Sequence, residues 1–303
     1  MKNTPNIIQA WATAARLRTL PIPTIQVLTG TCLAYSVTGT VDWLMLLFTW
    51  LVSIFITMAT NLLNDVIDFE KAVDHKKPVG YLKVISAGLI PKEHVRMAGY
   101  ACLALVVLFA IPLALNSGWM LFGIILISVV CSYAYTGGPY PISYLGLSEL
   151  FILFFYGFVC VGASYYIQTG SVTEPSLLCA LQMGLLAILP NALNNFRDMH
   201  EDAENNKLTL AVRFGKTFAR WEIAILTFLP YFLGIAWLFF GYVNAALFPL
   251  LSIPMAFVFV RGIWTTDPGP SFNRFFGLSV LVHFLFGLLL VIGFLFKDEL
   301  TLF

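Results

Sequence analysis

The sequence predicts an all-α integral membrane protein, and three observations carry that fold class. The 303-residue chain is 59% hydrophobic and only 11% charged, more apolar surface than a water-soluble fold can hide. Apolar runs of about 20 residues, the length a helix needs to cross a hydrocarbon core, recur along the whole chain. These runs, residues 103–115 and 284–296 among them, are apolar all round instead of alternating, which excludes membrane β-strands.

Taken in order, nine transmembrane helices are expected, at roughly 20–39, 43–65, 95–115, 118–136, 147–168, 176–196, 221–240, 244–264 and 276–296. Ahead of them, residues 1–19 lack the short apolar region and small-residue cleavage site of a signal peptide and read as a mildly amphipathic interfacial segment. Basic residues set the orientation, because retained loops collect Lys and Arg. With the N-terminus cytoplasmic, sixteen of the seventeen Lys and Arg fall on the inner side; only Lys297 falls outside, together with the C-terminus. Trp43, Trp119, Trp221 and Trp264 stand near span ends, where indole rings favour the headgroup region.

No polar linker separates the two halves, so residues 1–303 read as a single integral domain. The formal charge of +1 hides the vectorial distribution of basic residues and says nothing about partners. No basic tract suggests nucleic acid, and no feature calls for an obligate protein partner, while the lipid bilayer is the expected surrounding. Five cysteines fall within the spans without CxxC spacing, which argues against a disulfide framework or a zinc site.

Two inner connections, 66–94 and 197–220, are long and charged, and are expected to be the cytoplasmic loops that carry the active site. Each begins with an Asn/Asp cluster at the end of a span. The first holds Asn61, Asn64, Asp65 and Asp68; the second holds Asn194, Asn195, Arg197, Asp198 and Asp202. Lying four spans apart, both face the same side. The spacing puts each carboxylate pair on one helical face, where the unpaired carbonyls of a helix end add further negative charge. A divalent cation resolves that conflict.

Carboxylate and amide oxygens unaccompanied by His or Cys suit a hard ion, and magnesium completes its shell with water and substrate phosphate. The expected ligand is therefore phosphorylated. Lys76, Lys77 and Lys83 after the first cluster, and Arg197, Lys207 and Arg213 around the second, either complete an anion site or simply obey the positive-inside rule. An ion-coupled transporter is the competing reading, but its acids belong near mid-span on broken helices.

At these residues the chain resembles the UbiA-type membrane prenyltransferases, nine-helix bundles with a pair of Asp-rich motifs on cytoplasmic loops. Asn64-Asp65-x-x-Asp68 followed by Asp74, Asn194-Asn195-Phe196-Arg197-Asp198-x-x-x-Asp202, and Tyr135-Thr136-Gly137-Gly138-Pro139 are similar to the branch that acts on 1,4-dihydroxy-2-naphthoate. The likeness runs from Arg18-Thr19-Leu20-Pro21 to Gly215. It implies Mg2+ held with a diphosphate by Asp65, Asp68, Asp198 and Asp202, with Asn64 and Asp74 assisting.

From their place beside the acids, Lys77, Lys83, Arg197, Lys207, Asn195 and Asn61 are the expected substrate or diphosphate contacts, and Lys83 stands where the family that the chain resembles often has an Arg. The implied reaction moves a polyprenyl group from polyprenyl diphosphate to 1,4-dihydroxy-2-naphthoate with loss of the ring carboxylate, a step toward menaquinone. The implied setting is the bacterial plasma membrane, with the site facing the cytoplasm. Another aromatic acceptor such as 4-hydroxybenzoate is the alternative. Tyr133 and Tyr135 either offer π-faces to an allylic cation or act as interfacial anchors. Glu149 is a candidate base.

Overall fold

A computed structural model describes residues 6–71 and 83–296. Asp74 and Lys77, and with them Lys76, lie outside the described residues, which form helices and no strand. The short α1 (Ile7–Ala14) starts at a reciprocal cap: the Asn6 side chain accepts from the Gln9 backbone N–H at 2.8 Å, and the Gln9 side chain accepts from that of Asn6 at 3.1 Å. Arg16, at a left-handed φ of 50°, turns the chain from α1 into α2 (Leu17–Thr38).

The remaining apolar helices are α3 (Trp43–Glu70), α4 (Lys92–Ser117), α5 (Trp119–Ala134), α6 (Ser148–Thr169) and α7 (Glu174–Arg197). After the short α8 (Met199–Glu204) come α9 (Leu210–Leu238), α10 (Val243–Trp264) and α11 (Pro270–Leu295). Among the described residues, eight helices are long and apolar enough to cross a membrane, and the predicted spans match them within a few residues except at the starts of α9 and α11, which begin earlier. The predicted fourth span is α5, whose 16 residues rise about 24 Å at 1.5 Å per residue, short of a hydrocarbon core of about 30 Å.

The two connections expected as loops are more helical than that. Residues 66–70 continue α3, because the acids there meet cations that offset the repulsion at the helix end. Between 197 and 220 the chain forms α8 and then the first turns of α9, capped by Thr209 and bent at Gly215, which has a φ of 81°. Trp221 therefore lies well inside α9, edge-on to Trp264 at 5.1 Å between ring centroids, so the two indoles share one level.

α7 is the most buried of the long helices and packs against α6, α9 and α11. The contact with α6 is close because both sides are glycine: a Cβ on Gly157 would meet the Ala180 carbonyl at 2.5 Å and the Gly184 Cα at 3.0 Å. Gly157 belongs to a π-helical stretch, Leu153–Val161, a geometry frequent at functional sites. A separate apolar cluster packs Ala10 and Ala14 of α1 with Leu62, Val66, Val84 and Val95. That cluster docks α1 beside the first acidic motif. Lipid-facing surfaces carry exposed large side chains such as Phe239, Leu251 and Val258, as a membrane bundle requires.

Candidate active site

A chamber of about 840 Å³ runs between α2, α3, α5, α6 and α7. Its mouth presents Gln9, Arg16, Arg18, Asn64, Arg197 and Asn273, while its depth is closed by Leu113, Leu121, Ile125 and Ile167. Phe155, Tyr156, Val159 and Cys160 of the π-helical stretch form part of the wall. Charge is thus confined to one end and hydrocarbon to the other.

The first motif stands at the inner end of α3. Asp65 is 2% exposed, with Arg16 Nη2 at 3.6 Å and Lys83 Nζ at 3.8 Å. Lys83 also reaches Asp68 at 3.0 Å. Burial of so much charge is tolerable only with such partners. Asn64 accepts a short hydrogen bond from the Thr136 hydroxyl. Lys71 donates to the Thr136 carbonyl at 2.7 Å and lies over the Tyr144 ring, so the connection after α5 is fastened to α3.

The second motif spans the junction of α7 and α8. Arg197 clasps its neighbour Asp198 through two hydrogen bonds of 2.7 Å and donates to Asn273 of α11 at 2.8 Å. Lys207 holds both oxygens of Asp202 at 3.2 and 3.3 Å. Burial pushes the Asp202 carboxyl up to about 6, against the opposing pull of Lys207. Burial draws the Lys207 ammonium down, but Asp202, Tyr135 and Asp68 outweigh it and leave it above its ordinary value.

Lys207 therefore senses acids of both motifs. Tyr144 does the same: burial pushes its phenol up to about 12, and the charges of Asp68, Lys207, Asp202 and Lys83 all act on it. The Tyr144 carbonyl accepts from the Leu208 N–H at 3.0 Å, tying the connection after α5 to the segment beyond α8. Both acidic motifs thus lie near the connection that follows α5.

Several expected residues behave differently. Tyr135 lines the chamber, but Tyr133 is 44% exposed and does not line it, which corrects the π-face reading for Tyr133. Asn195 is not among the residues lining the chamber and donates to Glu149 at 2.9 Å. Asn61 does line the chamber, yet its amide donates to the Ala15 carbonyl at 3.3 Å and Thr19 at 3.5 Å; it fastens the N-terminal segment. Arg213 donates to the carbonyls of Leu208 and Leu145, a structural use. Arg16 and Asn273 were not singled out from the sequence, although Arg16 precedes the Arg18-Thr19-Leu20-Pro21 motif by only two residues.

Among the described residues no three His, Cys, Asp or Glu side chains gather into one ligand group, so the four aspartates stand as two pairs. The donor set nonetheless fits magnesium. It consists of carboxylate and amide oxygens, and the Asn194 amide oxygen at the chamber wall is buried with no hydrogen-bond partner. Magnesium needs only one or two carboxylates, with phosphate and water completing its octahedron.

A chamber with cations at its mouth and hydrocarbon in its depth defines a membrane protein that accommodates an amphiphile bearing an anionic head. The chain belongs to the UbiA prenyltransferase family, which it matches over residues 24–285. It is similar to the 1,4-dihydroxy-2-naphthoate octaprenyltransferase of Haemophilus influenzae, at 30% identity over 94% of this chain and 97% of that one. The protein of the same name from Bacillus subtilis is 30% identical over 92% and 90% of the two chains.

Solved structures share the fold. A UbiA homolog from Aeropyrum pernix superposes with a TM-score of 0.66 at 15% identity, covering 91% of this chain and 98% of that one. A homolog from Archaeoglobus fulgidus, bound to DMAPP and Mg2+, gives 0.57 at 14% identity over 93% and 98%. The protein is thus an integral membrane prenyltransferase.

Proposed function

We propose that this protein transfers a polyprenyl group from polyprenyl diphosphate to 1,4-dihydroxy-2-naphthoate with decarboxylation, giving a demethylmenaquinone precursor. The observation that carries the reading is the polarity of the chamber, whose charged mouth matches a diphosphate and whose apolar depth matches a prenyl chain. The names of the two bacterial relatives support the acceptor, and the homolog bound to DMAPP and Mg2+ supports the donor and the metal.

In this reading Asp65, Asp68, Asp198 and Asp202 hold Mg2+, with Asn64 oriented by Thr136 and Asp74 and Lys77 contributing from beyond the described residues. When bound, the ion neutralises charge on the diphosphate oxygens. Lys83, Arg197 and Lys207 donate hydrogen bonds to the same leaving group, and Arg16 adds a fourth cation at the mouth. The apolar walls keep water from the allylic cation until the electron-rich ring attacks it. Tyr135, inside the chamber, stands beside that reaction.

The same reading makes the chain one domain with a cytoplasmic N-terminus, an outer C-terminus and α5 as the ninth crossing. α1 lies in the interface, and the site opens to the cytoplasm at a bacterial plasma membrane. Purified protein with Mg2+ will release pyrophosphate from a polyprenyl diphosphate only when 1,4-dihydroxy-2-naphthoate is supplied. Turnover of 4-hydroxybenzoate in its place would overturn the acceptor, and no release with any aromatic acceptor would overturn prenyl transfer.

A further inference from the structure

One buried carboxylate has no part in the chemistry above. Glu149, in the first turn of α6, is 8% exposed and lies behind the chamber wall. Its Oε1 accepts from the Asn195 amide at 2.9 Å and the Asn191 amide at 3.3 Å, while its Oε2 is buried with no hydrogen-bond partner. Asn191 does line the chamber, and its carbonyl oxygen accepts from the Tyr135 hydroxyl at 3.0 Å.

The order of donors and acceptors in this chain is dictated by its buried end. The Glu149 oxygen accepts, so Asn191 turns its NH2 toward Glu149 and its oxygen toward Tyr135. With that oxygen as its partner, the Tyr135 hydroxyl spends its one proton on the protein. Tyr135 lines the chamber, and its oxygen, having donated its proton to Asn191, keeps its capacity to accept. The ring cannot easily swing away, since Phe151 packs on it at 5.4 Å and Phe155 packs behind Phe151 at 4.5 Å.

Such a group discriminates by chemistry. A diphosphate offers only acceptor oxygens and finds its donors at the mouth, in Arg16, Arg197 and Lys83. A hydroxylated aromatic ring brings an O–H donor, and donating it raises the electron density of the ring that must attack. We propose that Glu149, acting through Asn191, sets Tyr135 to accept a hydrogen bond from a ring hydroxyl of the aromatic acceptor. Tyr135 thereby binds the acceptor, and Glu149 is its positioning residue. The inference rests on the prenyl-transfer reading and adds the group that recognises the second substrate. No proton leaves the ring in this step.

The test is steady-state kinetics on the full-length protein with a polyprenyl diphosphate and two acceptors, 1,4-dihydroxy-2-naphthoate and its hydroxyl-methylated ether. Tyr135→Phe and Glu149→Gln should each lower kcat/KM for the hydroxylated acceptor about tenfold, the scale of one lost hydrogen bond, and leave the KM for the diphosphate unchanged. The double variant should be no worse than Tyr135→Phe alone, because both changes break one chain. Wild type should prefer the hydroxyl over the ether, and Tyr135→Phe should lose that preference.

Binding of a non-cleavable prenyl thiolodiphosphate verifies that each variant is folded. If Glu149→Gln fails that check, the hydroxyl-to-ether preference of Tyr135→Phe, which removes a single oxygen, still decides. An unchanged preference in Tyr135→Phe, additive losses in the double variant, or losses shared equally by both substrates would overturn the proposal while leaving prenyl transfer intact. Wild-type protein inactive with every aromatic acceptor would instead refute the prenyl-transfer reading on which the proposal stands.

Discussion

Asp65 and Asp198 stand at matching ends of α3 and α7, yet their partners come from very different distances along the chain. Asp198 is clasped by the adjacent Arg197, and Asp202 by Lys207 just beyond α8. Asp65 depends on Arg16 from before α2 and on Lys83 from beyond the residues that follow α3. The packing follows the same division. α7 lies in the main core, whereas the inner end of α3 rests on a smaller cluster completed by Ala10 and Ala14 of α1. One half of the site draws its charge partners from nearby in the chain; the other draws them from remote segments.

The largest expected effect treats the two halves alike. Asp65→Ala and Asp198→Ala should each reduce turnover by about 10²-fold or more, the scale of losing one charge-stabilising element of an active site, with unchanged insertion in the membrane. Near wild-type activity in either variant would remove that carboxylate from the site. The next separates the halves. Arg16→Ala should lower turnover about tenfold, and Arg16→Lys, which keeps the charge but loses the planar fork, should recover part of it. Metal and diphosphate assays on the same variants would show whether the remote cation serves the first motif alone.

Protonation sharpens the comparison further. With its carboxyl pushed up to about 6 by burial, Asp202 must lose a proton before it can hold a cation. Apparent Mg2+ affinity should therefore fall as pH drops below about 6, approaching tenfold per unit for one competing proton. It should level off above that value. Asp202→Asn should flatten the profile, and a profile unchanged by that substitution would move the titration elsewhere. The smallest effect expected is that of Asn273→Ala, which removes one of three hydrogen bonds on Arg197. Because the clasp to Asp198 persists, turnover should drop only about threefold, within the range of a single hydrogen bond.

Much of this was legible in the sequence for reasons that are local. Apolar runs mark helices because lipid leaves the backbone no other partner, and paired acids three or four residues apart mark a helical face. The missed features are those set by distance. Arg16 meets an aspartate far along the chain, and no spacing rule links an arginine in an amphipathic stretch to an acid on another helix. Asn273 was missed for the same reason. The segment 197–220 read as a loop because its charges hid α8 and the start of α9, which hold their shape through the Thr209 cap and the bend at Gly215. Tyr133 and Tyr135, two positions apart, point about 200° from each other on a helix, so only one of them can face the chamber.

The central claim is that the two acidic pairs, so differently supported, serve one diphosphate through shared metal. Pulsed electron–nuclear double resonance with Mn2+ in place of Mg2+, and a prenyl thiolodiphosphate bound, tests it most directly. A 31P coupling to Mn2+ should appear in the wild-type protein and vanish in both Asp65→Asn and Asp198→Asn. A coupling that survives either substitution at full strength would mean that one motif binds the diphosphate alone, and would contradict the account.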